Sequence, residues 1–66
     1  MRLIVNGKEI VLDGEITVLD FLRAKGLQER VVAVEHNRIW LRQEHWSGTA
    51  LADGDRLEIV HIMAGG

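Results

Sequence analysis

Only one stretch of this 66-residue chain has the spacing of a helix. Val18, Phe21, Leu22 and Lys25 recur at helical intervals, whereas elsewhere the apolar residues alternate in twos or run in short β-branched blocks. One short helix can cover one face of a sheet and must leave the other to water. This excludes helical bundles and doubly wound folds, and leaves a mixed sheet packed on a single helix.

Local signals place the elements. Met1, Leu3 and Val5 alternate with Arg2, Ile4 and Asn6, the pattern of a strand. Asn6-Gly7 is a hairpin turn signal, because both residues tolerate positive φ. Residues 9–12 return as a second strand, closed by Asp13-Gly14. Thr17 followed by Asp20 is the capping pattern of a helix start, and Gly26 is placed to end that helix with Leu27 folded back onto Leu22. The helix is predicted over about residues 17–25. The β-branched run 31–34 is a third strand, Asn37-Arg38 a turn and 39–41 a short strand. Residues 42–50 read as irregular with one helical turn. Asp53-Gly54-Asp55 is a tight turn before a last strand over 56–62.

The fold class expected is α+β. A four- to five-stranded mixed sheet wraps around one helix, with the first and last strands adjacent and parallel in its middle: the ubiquitin-like β-grasp arrangement. Residues 1–62 are expected to form one domain and 63–66 a flexible tail. Leu3, Val5, Ile10, Leu12, Val18, Leu22, Val32, Val34, Leu57 and Ile59 form the expected core. Ile4 and Val60 alternate out of it on neighbouring strands. With Ile62 and Met63 they are expected to make an exposed apolar docking patch leading to the tail.

Composition narrows the function. Eight basic and ten acidic residues give a net charge of −2 with no basic stripe, so no nucleic-acid partner is expected. Cysteine is absent, which rules out a disulfide framework, a thiolate metal site and a cysteine nucleophile. No segment is apolar for long enough to span a membrane. Strand alternation begins at Met1 in place of a leader, and a cytoplasmic protein, monomeric when alone, is expected.

The usual catalytic constellations do not assemble. His36, His45 and His61 have no helical i,i+3 or i,i+4 pairing, and no metal site is expected. Thr17 is explained by capping and Ser47-Gly48 by a turn, so a Ser-His-acid triad has no support. Asp53-Gly54-Asp55 lacks the ligand spacing of a calcium loop. No catalytic residue and no bound cofactor are expected. Gly65-Gly66 stands apart. Without Cβ atoms, the two glycines can enter a narrow channel and take backbone angles closed to other residues. A terminal carboxylate becomes an acyl donor once activated, typically as a mixed anhydride with AMP. A mobile tail on a compact domain suits a group carried between active sites. With no cysteine present, any sulfur the chain carries must sit on its carboxyl group.

Over essentially its whole length the sequence resembles the ThiS family of sulfur carriers in thiamine biosynthesis. The marks are Val5-Asn6-Gly7, Thr17-Val18, Phe21-Leu22, Val32-Ala33-Val34, Asn37, Arg42, Trp46, Leu51, the run from Asp53 to Val60, and Gly65-Gly66. The resemblance implies an E1-like adenylyltransferase (ThiF type) that uses ATP to adenylate Gly66. It implies a cysteine desulfurase or other persulfide donor that converts the adenylate to a thiocarboxylate, and a thiazole synthase (ThiG type) that takes the sulfur. Gly65 and Ala64 would thread the tail into the activating enzyme. The chain would be a protein cosubstrate rather than an enzyme. The small subunit of molybdopterin synthase, other sulfur carriers of the same fold and a β-grasp interaction module with no carrier role are the alternatives. The family often has Asn-Gly at the third turn. Asn37-Arg38 in its place implies a different or more strained turn, and the bulk of Trp40 and His45 is expected to shape the solvated face.

Overall fold

The computed structural model describes residues 1–27 and 32–62. The elements run β1 (Arg2–Val5), β2 (Lys8–Val11), α1 (Val18–Ala24), β3 (Val32–His36), β4 (Ile39–Leu41), a 3₁₀ helix (Gln43–Gly48) and β5 (Arg56–His61). The strands form one sheet in the order β2-β1-β5-β3-β4. β1 and β5 are parallel neighbours at its centre, and the other pairings are antiparallel. This is the mixed five-stranded sheet around one helix that the alternation predicts. Val31, expected in the third strand, and Met63, Ala64, Gly65 and Gly66 lie outside the described residues.

Helix α1 begins and ends as its sequence dictates. Thr17 Oγ1 accepts the Asp20 N–H at 3.1 Å, and the Asp20 carboxylate accepts the Thr17 N–H at 3.4 Å, a complete capping box. At the other end Gly26 has φ +72°, the left-handed region that favours glycine. Its N–H donates to the Arg23 carbonyl and the Leu27 N–H to the Leu22 carbonyl, each at 3.0 Å. These are the two bonds of a Schellman end, and Leu27 packs against the core as the motif requires.

The core holds Leu3, Val18, Phe21, Leu22, Val32, Val34, Trp46, Leu51 and Leu57. Six of the ten predicted core residues are among them. Val5, Ile10, Leu12 and Ile59 are only half-buried and pack at its margin. Phe21, Trp46 and Leu51 are additions: Phe21 from the predicted helix, Trp46 from the segment expected to be irregular and Leu51 from just after it. The 3₁₀ helix turns Trp46 inward, where its indole N–H donates to the Leu41 carbonyl at 3.0 Å. Backbone bonds from Val18 N–H to Thr49 O and from Leu51 N–H to Ile16 O, each 2.9 Å, fasten this segment to the approach to α1.

The third turn takes the second of the two forms expected of it, the more strained one. Asn37 and Arg38 both have positive φ, 51° and 72°, and His36 pairs directly with Ile39. This is the primed two-residue hairpin turn that Asn-Gly would make. The turn type is therefore kept, and the strain is confined to Arg38, a non-glycine residue in the left-handed region.

Two outcomes follow for stability. Leu22→Ala and Trp46→Ala should each cost about 2–5 kcal/mol, seen as a large drop in the urea midpoint. Arg38→Gly should stabilise by about 0.5–1 kcal/mol, the relief of left-handed strain less the extra freedom of glycine in the unfolded chain. A melting temperature at or below that of the parent would contradict the strain at Arg38.

Candidate functional site

The group singled out by the sequence lies just past β5, so the strand's supports decide what that end can do. On one side β3 pairs along all of its upper part, from Leu57 opposite His36 to His61 opposite Val32. On the other, β1 follows it only as far as Val5 opposite Leu57, because Asn6-Gly7 then turns the chain away. Asn6 takes over beyond that point. Its side-chain oxygen accepts the Ile59 N–H at 2.7 Å and its amide donates to the Ile59 carbonyl at 3.3 Å. One carboxamide thus stands in for the next strand residue and satisfies both backbone groups of Ile59. Nothing in the local sequence signals this contact, since Asn6 is fully accounted for by the turn it begins.

The docking residues proposed from alternation separate into two places. Val60 and Ile62 are 48% and 52% exposed near the end of the described strand. Ile4 is half-buried, and its register partner on β5 is Arg56, not Val60. Glu58 intervenes between them along β5, so Ile4 is not continuous with the pair nearer the tail. Trp40, expected to shape the solvated face, is 61% exposed. It stands opposite Glu35, and Glu35 in turn stands opposite Glu58. No pocket and no group of three metal-ligating side chains occurs among the described residues. No helix among them is long and apolar enough to cross a membrane.

Comparison with known proteins decides the family. The ThiS family model matches residues 1–66. The Bacillus subtilis sulfur carrier protein ThiS is 34% identical over 63 residues, covering 94% of this chain and 96% of its own. The chain belongs to the ThiS family. It is a sulfur carrier of thiamine biosynthesis. A ThiS crystal structure from Geobacter metallireducens superposes over the whole of both chains with a TM-score of 0.87 and 38% identity. A thiazole synthase from Paramagnetospirillum magneticum is 38% identical over 66 residues, and there this chain spans only 20% of the relative's length.

One polar cluster in this ThiS-family chain resembles catalytic machinery. His36 Nε2–H donates to the Asp55 carboxylate at 2.7 Å, with side chains 20% and 14% exposed. Two of the hydroxyls are engaged elsewhere: Thr17 caps α1, and Thr49 donates to the His45 carbonyl at 2.7 Å. The cluster instead ties two turns together. Asp55 also accepts from the Ala52 N–H and from the Asn37 amide. The Asn37 oxygen accepts the Arg56 N–H where β5 begins. Burial of Asp55 works against its charge, but the bonds from His36, Ala52 and Asn37 outweigh it and hold the carboxyl below its ordinary value.

The sign of the pH dependence follows. Asp55 is ionised to lower pH in the folded chain than in the unfolded one, so its contribution is complete above the ordinary aspartate range. It is lost as pH falls through the depressed folded value. Asp55→Asn should lower the melting temperature at neutral pH and flatten its fall on the acid side. An acid limb as steep as that of the parent would remove Asp55 from the linkage.

Proposed function

We propose that Gly66 is the carrier residue. Its carboxylate attacks the α-phosphorus of ATP in an adenylyltransferase of ThiF type and displaces pyrophosphate. The terminal sulfur of a donor persulfide then attacks the acyl carbon and expels AMP, which leaves an acyl disulfide. A second thiol of the donor attacks the donor sulfur of that disulfide, so the donor keeps a disulfide and Gly66 is released as a thiocarboxylate. A thiazole synthase of ThiG type takes the sulfur. ATP belongs to the partner's reaction, and Gly65 and Ala64 thread the channel. The setting is cytoplasmic.

The observation that carries this reading is the end-to-end match to the ThiS family, which runs through Gly65-Gly66. One further feature supports it: the strand that leads to the glycines lies inside the sheet, with β3 along one side and the Asn6 carboxamide holding Ile59 on the other, a firm base for a reacting end. The relative named thiazole synthase, which contains a unit similar to this chain, supports a synthase as the sulfur acceptor.

Deleting Gly66 moves the carboxylate back by about 3.3–3.6 Å. Misplacement by about 1 Å already costs on the order of 10²-fold where reacting groups must align. ATP–pyrophosphate exchange with the host's adenylyltransferase should therefore collapse, with the melting temperature unchanged. Gly65→Val should fail as well, because its branched Cβ narrows the fit and restricts φ. In the native host, intact-mass measurement should find a form heavier by the exchange of one oxygen for sulfur. Parent-like exchange in the Gly66 deletion would end the proposal.

A further inference from the structure

The sheet face turned away from α1 carries one row of side chains that opposes folding. The registers Glu35↔Trp40 and Glu35↔Glu58 set three residues side by side across β4, β3 and β5. Directly opposed residues share a face, with Cβ atoms roughly 4.5–5.5 Å apart. Two carboxylates therefore face each other across neighbouring strands, an arrangement that destabilises a sheet. Among the described residues neither has an ion-pair partner. Arg2 pairs with Glu9 and Arg42 with Glu44. Arg56, on the same face one step back along β5, bridges neither carboxylate. Beside them stands Trp40 with most of its surface in water, and towards the end of β5 lie exposed Val60 and Ile62.

The charge and shape of this row complement one chemical group. A guanidinium is planar, carries its donors in a fork that suits carboxylates, and stacks on an aromatic face. An ammonium would answer the charge and make less of the indole. We infer that Glu35, Glu58 and Trp40 form the docking site for an arginine side chain of the thiazole synthase, with apolar residues of the same partner covering Val60 and Ile62. This deepens the carrier reading and rests on it. The row lies across β5, β3 and β4, so a protein seated there lies against the strand whose continuation in the sequence bears the sulfur. The partner is the synthase because a relative named thiazole synthase contains a unit similar to this one within its own chain.

The free and bound proteins should respond in opposite directions. Titration calorimetry of the full chain with its host's thiazole synthase measures the affinity, and thermal melting measures the free carrier. The double variant Glu35→Gln/Glu58→Gln should bind at least about tenfold more weakly, as expected when one side of a close charge pair is removed at an interface. It should also melt higher than the parent, because the cross-strand repulsion is gone. Trp40→Ala should weaken binding similarly, and Trp40→Phe should recover part of the loss. A role confined to stability would not give tighter folding together with weaker binding. Unchanged affinity in both variants, a fall in melting temperature with the loss of charge, or weakening towards the adenylyltransferase alone would each overturn the arginine site. A parent chain that does not bind the synthase would overturn this docking together with the choice of acceptor. The thiocarboxylate mass measurement would still decide the carrier reading by itself.

Discussion

β1 and β5 lie side by side in parallel, although more than fifty residues separate the paired positions Ile4 and Arg56. A hairpin cannot join parallel strands, so everything between them has to serve as the crossover. That crossover contains the helix, three further strands and the 3₁₀ turn. Leu3 and Leu57, both fully buried, mark the centre of the resulting core. The outer strands add to this pair: β2 pairs with β1, and β3 with β5. Because loop closure comes before the reward of long-range contact, such a topology commits late and as a unit. The strand leading to the C-terminal glycines is thus one of the pair on which the topology depends.

The size of α1 sets the second limit. Seven residues make a helix about 10 Å long, whereas five strands span roughly 19 Å. The helix cannot reach the sheet's margins. Alternation identifies the inward side of each strand correctly, but it cannot say how far the helix extends over it. Val5, Ile10, Leu12 and Ile59 therefore point inward and stay half-buried. The remaining opening is closed by Trp46 and Leu51. Neither was legible as core: Trp46 sits between polar His45 and Ser47 in a 3₁₀ turn, which follows neither the strand nor the helix period, and Leu51 lies outside every helix and strand. The helix caps were legible in detail because Thr17, Asp20 and Gly26 act within a few residues of themselves.

The same distinction between local and distant governs the site. Gly65-Gly66 could be singled out as the candidate reactive end because the argument needs only flexibility and a carboxylate. Asn6 could not be read as a support of β5, since its partner Ile59 is 53 residues away. The row of Trp40, Glu35 and Glu58 is legible only through the registers of three strands. Alternation placed Ile4 and Val60 on one face, which is correct, but it carried no information on the stagger between β1 and β5. That stagger is what separates them.

The short outer strand β4 has a colloidal consequence. Ile39 and Trp40 expose 70% and 61% of their surfaces on the outermost strand of the sheet, a composition that invites another chain to zip onto it. Three residues offer too few outward-facing backbone groups to template a second copy. Arginines stand at both ends of the segment, Arg38 before it and Arg42 after it, and charges in such flanking positions act as gatekeepers against self-association. The left-handed strain at Arg38 is in this light a local cost of solubility: a glycine would sit more comfortably in the turn but would leave one end of an aromatic edge unguarded.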